Sequence, residues 1–281
     1  MTYLQIAVLA LLQGLAELLP VSSSAHVIVA AKMMGLDPAD PAMTLLLVML
    51  HTGTMLAVMV YFWAAWRRTF FASAAAFRRV AALLVFSTGL TALVGLPIKV
   101  GIEKIVLRQA AEAEIEMIFG NLALVAVALG AAGLLIVWAG QRQGAAAREL
   151  VGWREAGWMG AVQGLCLPFR GFSRSGATIS TGMILGAAKG RVEEYSFALA
   201  VVLTPPVVLR EVLRLLRDRP VGGSLWPLFA PSLFGLGVSF LAGLLALVWL
   251  SRWLERGRWH FFGYYCLGAA GVVMALHWLG F

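Results

Sequence analysis

The chain has 281 residues, 61% of them hydrophobic and only 13% charged, with a formal net charge of +8. Soluble domains carry roughly 25% charged residues, so this chain lacks the polar surface to cover a water-soluble globule, and its mean hydropathy of +0.86 agrees. A soluble enzyme, a disordered protein and a nucleic-acid-binding module are excluded; the basic excess fits the cytoplasmic loops of a polytopic helical membrane protein.

The first element is a short apolar piece, Tyr3–Leu19, which breaks at Pro20-Val21-Ser22-Ser23-Ser24 and resumes as Ser24–Met34. The first basic residue is Lys32, so the charged n-region of a cleavable signal peptide is missing. Three segments long enough for the ~30 Å hydrocarbon core follow: Ala42–Trp66, Val80–Ile98 and Ile115–Ala139. A second short pair, Trp153–Leu167 and Gly176–Ala188, is broken at Pro168-Phe169-Arg170-Gly171-Phe172-Ser173-Arg174-Ser175-Gly176. Three more long segments close the chain: Tyr195–Leu216, Trp226–Leu250 and Trp259–Phe281. Trp63, Trp66, Trp138, Trp153, Trp158, Trp226, Trp253 and Trp259 fall near segment ends, where interfacial anchors belong. Cys166 and Cys266 sit in apolar surroundings and are expected as small buried hydrophobes. No soluble domain fits between the spans, so residues 1–281 are expected to form one integral membrane domain.

The two short pairs look like copies. Gln13-Gly14-Leu15 recurs as Gln163-Gly164-Leu165, Ser23 as Ser173 and Arg67 as Arg217, all at one offset. Non-helical backbone at membrane depth is tolerated only when buried in protein or lining a wet cavity. Each pair is therefore expected to be a re-entrant hairpin followed by three full spans. An odd number of spans inverts the second repeat (about 150–281) relative to the first (about 1–140), the architecture of secondary transporters. In this arrangement Lys and Arg are more frequent on the side of Arg67, Arg78, Arg142, Arg148 and Arg252 than on that of Lys32, Lys99, Arg108 and Arg219. The first side is then cytoplasmic and both termini lie outside.

An ionisable residue inside a membrane is expensive and points to function. Glu17 lies four residues after Gln13, on the same helical face. Ser22, Ser23, Ser24 and His26 follow, adding hydroxyls and an imidazole able to move a proton near neutral pH. In the second break, Ser173, Arg174, Ser175, Gly176 and Thr178 open a helix whose free N–H groups and dipole favour an anion. Arg174 adds a planar fork suited to phosphate oxygens, and Arg170 a further cation. If the hairpins meet, the site suits phosphoryl transfer from a lipid, which asks mostly for positioning and charge neutralisation. Glu17 with substrate oxygens resembles sparse Mg²⁺ ligation. The rival class is a transporter or flippase for an anionic or isoprenoid-phosphate substrate, which would need the Arg but not the Glu–Ser–His cluster.

The run Gln13-Gly14-Leu15-Ala16-Glu17-Leu18-Leu19-Pro20-Val21-Ser22-Ser23-Ser24-Ala25-His26 resembles the first signature of the bacitracin-resistance undecaprenyl-diphosphate phosphatases. Gly171-Phe172-Ser173-Arg174-Ser175-Gly176-Ala177-Thr178 resembles the second, and His51-Thr52-Gly53-Thr54 and Tyr195-Ser196-Phe197 are similar to further family segments. The resemblance implies an inner-membrane enzyme, opening outward, that hydrolyses a polyprenyl diphosphate to the monophosphate for cell-wall synthesis and depends on Mg²⁺ or Ca²⁺. It implies Glu17 as metal ligand or base, Ser23 as nucleophile or donor and His26 as proton carrier. Arg174, Ser173 and Thr178 would hold phosphate; residue types leave attack by Ser23, His26 or water open. Three departures stand out. Gln13 replaces an acid, Ala25 replaces a Gly that would permit φ > 0, and Phe169-Arg170 separates Pro168 from Gly171.

Overall fold

The computed structural model describes residues 1–36, 41–106, 121–142, 150–217 and 226–280, and these are all-helical. The order is α1 (Tyr3–Leu18), α2 (Ser23–Met33), α3 (Pro41–Thr69), α4 (Ala74–Gly101) and α5 (Leu122–Gln141). Then come α6 (Trp153–Cys166), α7 (Arg174–Ile184), α8 (Lys189–Arg217), α9 (Trp226–Glu255) and α10 (Trp259–Trp278). The expected start of the third span at Ile115, and Arg108, Arg148 and Arg219 from the charge comparison, lie outside the described residues.

Helices α3, α4, α5, α9 and α10 are long and apolar enough to cross a membrane. The sixth expected span, α8, has 29 residues, about 43 Å of helix, but is not apolar enough by the same measure. Glu193, Glu194, Arg210, Glu211, Arg214 and Arg217 lie along it. Near its start the carboxylates are matched by protein: Ser251 donates to Glu193 at 2.6 Å, and Arg191 pairs with Glu194 at 3.0 Å.

The short helices are too short to span: α2 and α7 have 11 residues each, about 17 Å. Sequence sets their ends. Leu19 precedes Pro20 and is extended (φ −74°, ψ 150°), as the clash with the proline ring demands, which stops α1. Gly171 sits at φ +100°, and a Cβ there would run into the backbone of Val125 on α5. Glycine alone can turn the second break against that helix.

The packing crosses from one end of the chain to the other. Helix α1 lies against α9, and α6 lies against α4. At both contacts the recurring glycine allows close approach: a Cβ on Gly14 would fall 2.7 Å from the Ser239 carbonyl oxygen, and one on Gly164 2.6 Å from that of Thr91. Helices α5 and α10 pair along their lengths, and α3 packs on both α8 and α9.

Trp63, Trp138, Trp153 and Trp158 are exposed as interfacial anchors should be, but Trp66 and Trp259 are buried. Trp66 stacks between Phe62 and Phe70, and the Trp259 indole N–H donates to Ser180 Oγ at 3.0 Å. Position near a helix end is not enough to put a ring in the interface when a neighbouring helix covers it. The Trp226 side chain lies outside the description. Both cysteines are buried and free, as expected.

Both residues that bracket the α6–α7 pair, Leu150 and Gly190, are exposed. In a background lacking Cys166 and Cys266, Leu150→Cys and Gly190→Cys should react with an impermeant maleimide from the same membrane side. Labelling from opposite sides would mean that the pair crosses the bilayer.

Candidate active site

The two helix breaks touch. Ser175 Oγ donates to the Leu19 carbonyl at 3.4 Å, and the Gly171 N–H donates to Ser24 Oγ at 3.3 Å. The Cys266 thiol, from α10, donates to the Pro20 carbonyl at 3.3 Å and supports the first break from behind.

At the junction stands Glu17. The Arg174 guanidinium Nη2 donates to its Oε1 at 2.7 Å. On Oε2, Ser23 Oγ donates at 2.5 Å and Gln13 Nε2 at 3.0 Å, and His51 Nε2 stands 3.7 Å away. Gln13, in the place of an acid, thus supports the carboxylate as a donor where a second acid would repel it. A carboxylate among apolar helices is held this way because its charge is costly unless paired and hydrogen-bonded.

The second-break residues divide by direction. Ser173 caps α7, its Oγ accepting from the Gly176 N–H at 3.2 Å. Ser175, Gly176 and Thr178 are buried. The Thr178 hydroxyl bonds the Arg174 carbonyl at 2.9 Å and the Ser196 hydroxyl at 2.6 Å. These groups fix the start of α7, and Arg174 is the one that reaches Glu17. Arg170 is half-buried in the loop before it.

His26 is engaged at both ring nitrogens. Nδ1 lies 2.8 Å from the Ser22 carbonyl, and Nε2 lies 2.7 Å from the Tyr265 hydroxyl on α10, with the rings stacked. Since a carbonyl only accepts, neutral His26 carries its proton on Nδ1 and takes the tyrosine O–H at Nε2. Ser22 itself has φ +66°, a rare conformation for a residue with a side chain, and its hydroxyl meets that of Ser24 at 3.2 Å. Ala25, expected to stand where φ > 0 is useful, lies inside α2; the left-handed residue is Ser22, three positions earlier.

A cleft opens at the junction between α1, α3, α7 and α8. It is lined by the polar side chains of Glu17, His51, Thr54, Arg174 and Thr204 and by apolar Leu18, Met55, Val58 and Val201. The family described as bacitracin resistance protein BacA matches residues 6–273. The chain belongs to this family. It is 52% identical over 281 residues to undecaprenyl-diphosphatase 2 of Acinetobacter baylyi, with 98% of each chain covered. Undecaprenyl-diphosphatases of Rhodopirellula baltica (32% identical, 98% of each chain) and Anaeromyxobacter sp. (36%, 100% of this chain and 90% of the relative) are also similar.

The BacA resemblance implies Mg²⁺ or Ca²⁺, but the donors present do not fit a resident ion. Glu17 has both oxygens taken by donors, one of them a guanidinium, and no group of three His, Cys, Asp or Glu side chains gathers among the described residues.

His51 and Tyr265 are the site residues that sequence reasoning missed. A histidine in the middle of an apolar span is a sufficient signal, whereas nothing local marks Tyr265, which meets His26 only through the tertiary fold.

Gly171→Ala should lower the melting temperature in detergent, because the left-handed turn costs a side-chain-bearing residue about 1–3 kcal/mol before the Val125 contact is counted. An unchanged melting temperature would mean that the turn is free to move.

Proposed function

We propose that the chain hydrolyses undecaprenyl diphosphate to undecaprenyl phosphate and inorganic phosphate. In this reading it works in the bacterial inner membrane, its cleft open to the outer side, and returns the carrier lipid to cell-wall synthesis, which confers bacitracin resistance. One observation carries the reading. The Glu17 carboxylate accepts from both the Arg174 guanidinium and the Ser23 hydroxyl, and Glu17 and Arg174 line a cleft with Leu18, Met55, Val58 and Val201.

The diphosphate enters at Arg174. One of its N–H groups is spent on Glu17, and among the described residues the rest of the fork makes no hydrogen bond. It can therefore grip phosphoryl oxygens with the geometry a lysine lacks. Ser173 and Thr178 serve by holding α7, and Ser22 and Ser24 serve by joining the two breaks through the Gly171 N–H. Ser23, aligned by Glu17, attacks the terminal phosphorus through Oγ. The new O–P bond forms as the Ser23 proton passes to a base beside Glu17 and the bridging P–O bond breaks, its electron pair leaving on undecaprenyl phosphate. His26, held between the Ser22 carbonyl and the Tyr265 hydroxyl, keeps the first break in place beside Ser23, and the monophosphate departs as an anion. Water then cleaves the phosphoserine and restores Ser23. No step depends on a resident metal; a Mg²⁺ or Ca²⁺ ion would be bound chiefly by the diphosphate's own oxygens.

Phosphate release by the purified protein in detergent tests this, since no transport can be scored there. Activity should fall in the order wild type, Arg174→Lys, Arg174→Ala, with at least about a hundredfold loss for Ala, the scale of losing a charge-stabilising donor. Glu17→Gln should be nearly inactive with expression and membrane insertion kept. A wild-type protein that moves lipid but releases no phosphate would be a carrier, and a fully active Arg174→Ala would remove the clamp.

A further inference from the structure

His51 stands at the reacting end of the cleft, on α3, and the scheme above gives it no task. Its Nδ1 lies 2.8 Å from the Leu47 carbonyl one turn back in the helix. A carbonyl can only accept, so in the neutral ring the proton is on Nδ1 and the lone pair is on Nε2. Nε2 makes no hydrogen bond among the described residues. It faces Glu17 Oε2 at 3.7 Å, the same oxygen that accepts the Ser23 hydroxyl at 2.5 Å. The other cleft-lining group with formal charge is Arg174 on α7; α8 contributes Ala200, Val201 and Thr204, all uncharged.

The neighbouring groups are poorer proton acceptors. Glu17 is occupied at both oxygens by Arg174, Ser23 and Gln13, and a carboxylate so engaged has little basicity left. His26 has both nitrogens committed, to the Ser22 carbonyl and to Tyr265. The His51 side chain is also 39% exposed against 17% for Glu17, so incoming substrate and water can reach it.

We propose that His51 is a catalytic residue of this site: the imidazole whose Nε2 receives the proton of the attacking hydroxyl. This rests on the phosphatase reading. As Ser23 Oγ bonds to the terminal phosphorus, its proton passes to His51 Nε2 while the bridging P–O pair departs with the lipid monophosphate. The imidazolium so formed lies beside the Glu17 carboxylate, which stabilises it. When water later attacks the phosphoserine, its proton goes to the serine oxygen that leaves. Phosphate departs, and the proton held on His51 passes to solvent. The imidazole and the carboxylate then divide the work, one accepting the proton and the other holding hydroxyl and guanidinium in register.

The experiment compares wild type, His51→Gln and His51→Ala as purified, folded protein in detergent, using phosphate release from a polyprenyl diphosphate. Loss of a general base lowers turnover by about 10²- to 10⁴-fold, so kcat should fall by that amount for both variants while KM stays within a few-fold. Added imidazole should restore part of the His51→Ala turnover and none of that of His51→Gln, whose side chain fills the space. Turnover within about threefold of wild type in His51→Gln overturns the proposal. So does a rise in KM with kcat unchanged, which would make His51 a binding group, or a lowered melting temperature with normal turnover per folded molecule. A wild-type protein that releases no phosphate would instead overturn the phosphatase reading, before any variant is compared.

Discussion

The ion pair between Glu17 and Arg174 is the contact on which the site depends. The two residues come from opposite halves of the chain and from two separate helix breaks, and they meet at 2.7 Å. Each alone would be an unmatched charge among apolar helices. Together, with Gln13 and Ser23 donating to the other carboxylate oxygen, they neutralise one another and fix both breaks. Substrate binding is then an exchange in which phosphoryl oxygens take up donors that the carboxylate has kept aligned. A site whose dipoles are already oriented needs little reorganisation when charge moves during reaction.

That pairing also explains which parts of the site were legible in the sequence. Glu17 and Arg174 announce themselves as charges in apolar surroundings, and the serines around each break mark where the helices stop. What the sequence cannot give is direction. Ser175 and Thr178 look like phosphate ligands because they follow Arg174, yet α7 is covered on most sides and their hydroxyls turn to Leu19, Ser196 and the helix's own carbonyls. Ser173 is spent on its own helix cap. A motif lists the residues near a ligand; only packing decides which of them face it.

The same limit applies to the helices. The long spans show in apolar length, and α8 shows where that signal thins: the carboxylates near its start, Glu193 and Glu194, are matched by Ser251 and Arg191. Trp66 and Trp259 carry an interfacial signature by position but are core residues by contact. His51 is legible as part of a family-like segment, but only the fold, through α3, brings it within 3.7 Å of Glu17. His26 was visible too, but Tyr265, which sets what it can do, comes from the last helix.

The crossed packing of α1 on α9 and of α6 on α4 bears on how the molecule is made. Helix α1 leaves the ribosome more than two hundred residues before the surface it needs, around Ser239 and Ala242, is synthesised. Contacts so distant in the chain are slow to form and leave apolar faces waiting. Throughout most of translation the first helix pair must therefore be sheltered by lipid, by α3 or by the insertion machinery. Until Arg174 is made, the Glu17 carboxylate has only Gln13, Ser23 and His51 beside it, and a protein interrupted before α9 would keep the contact between its two breaks but lack the helix that covers α1.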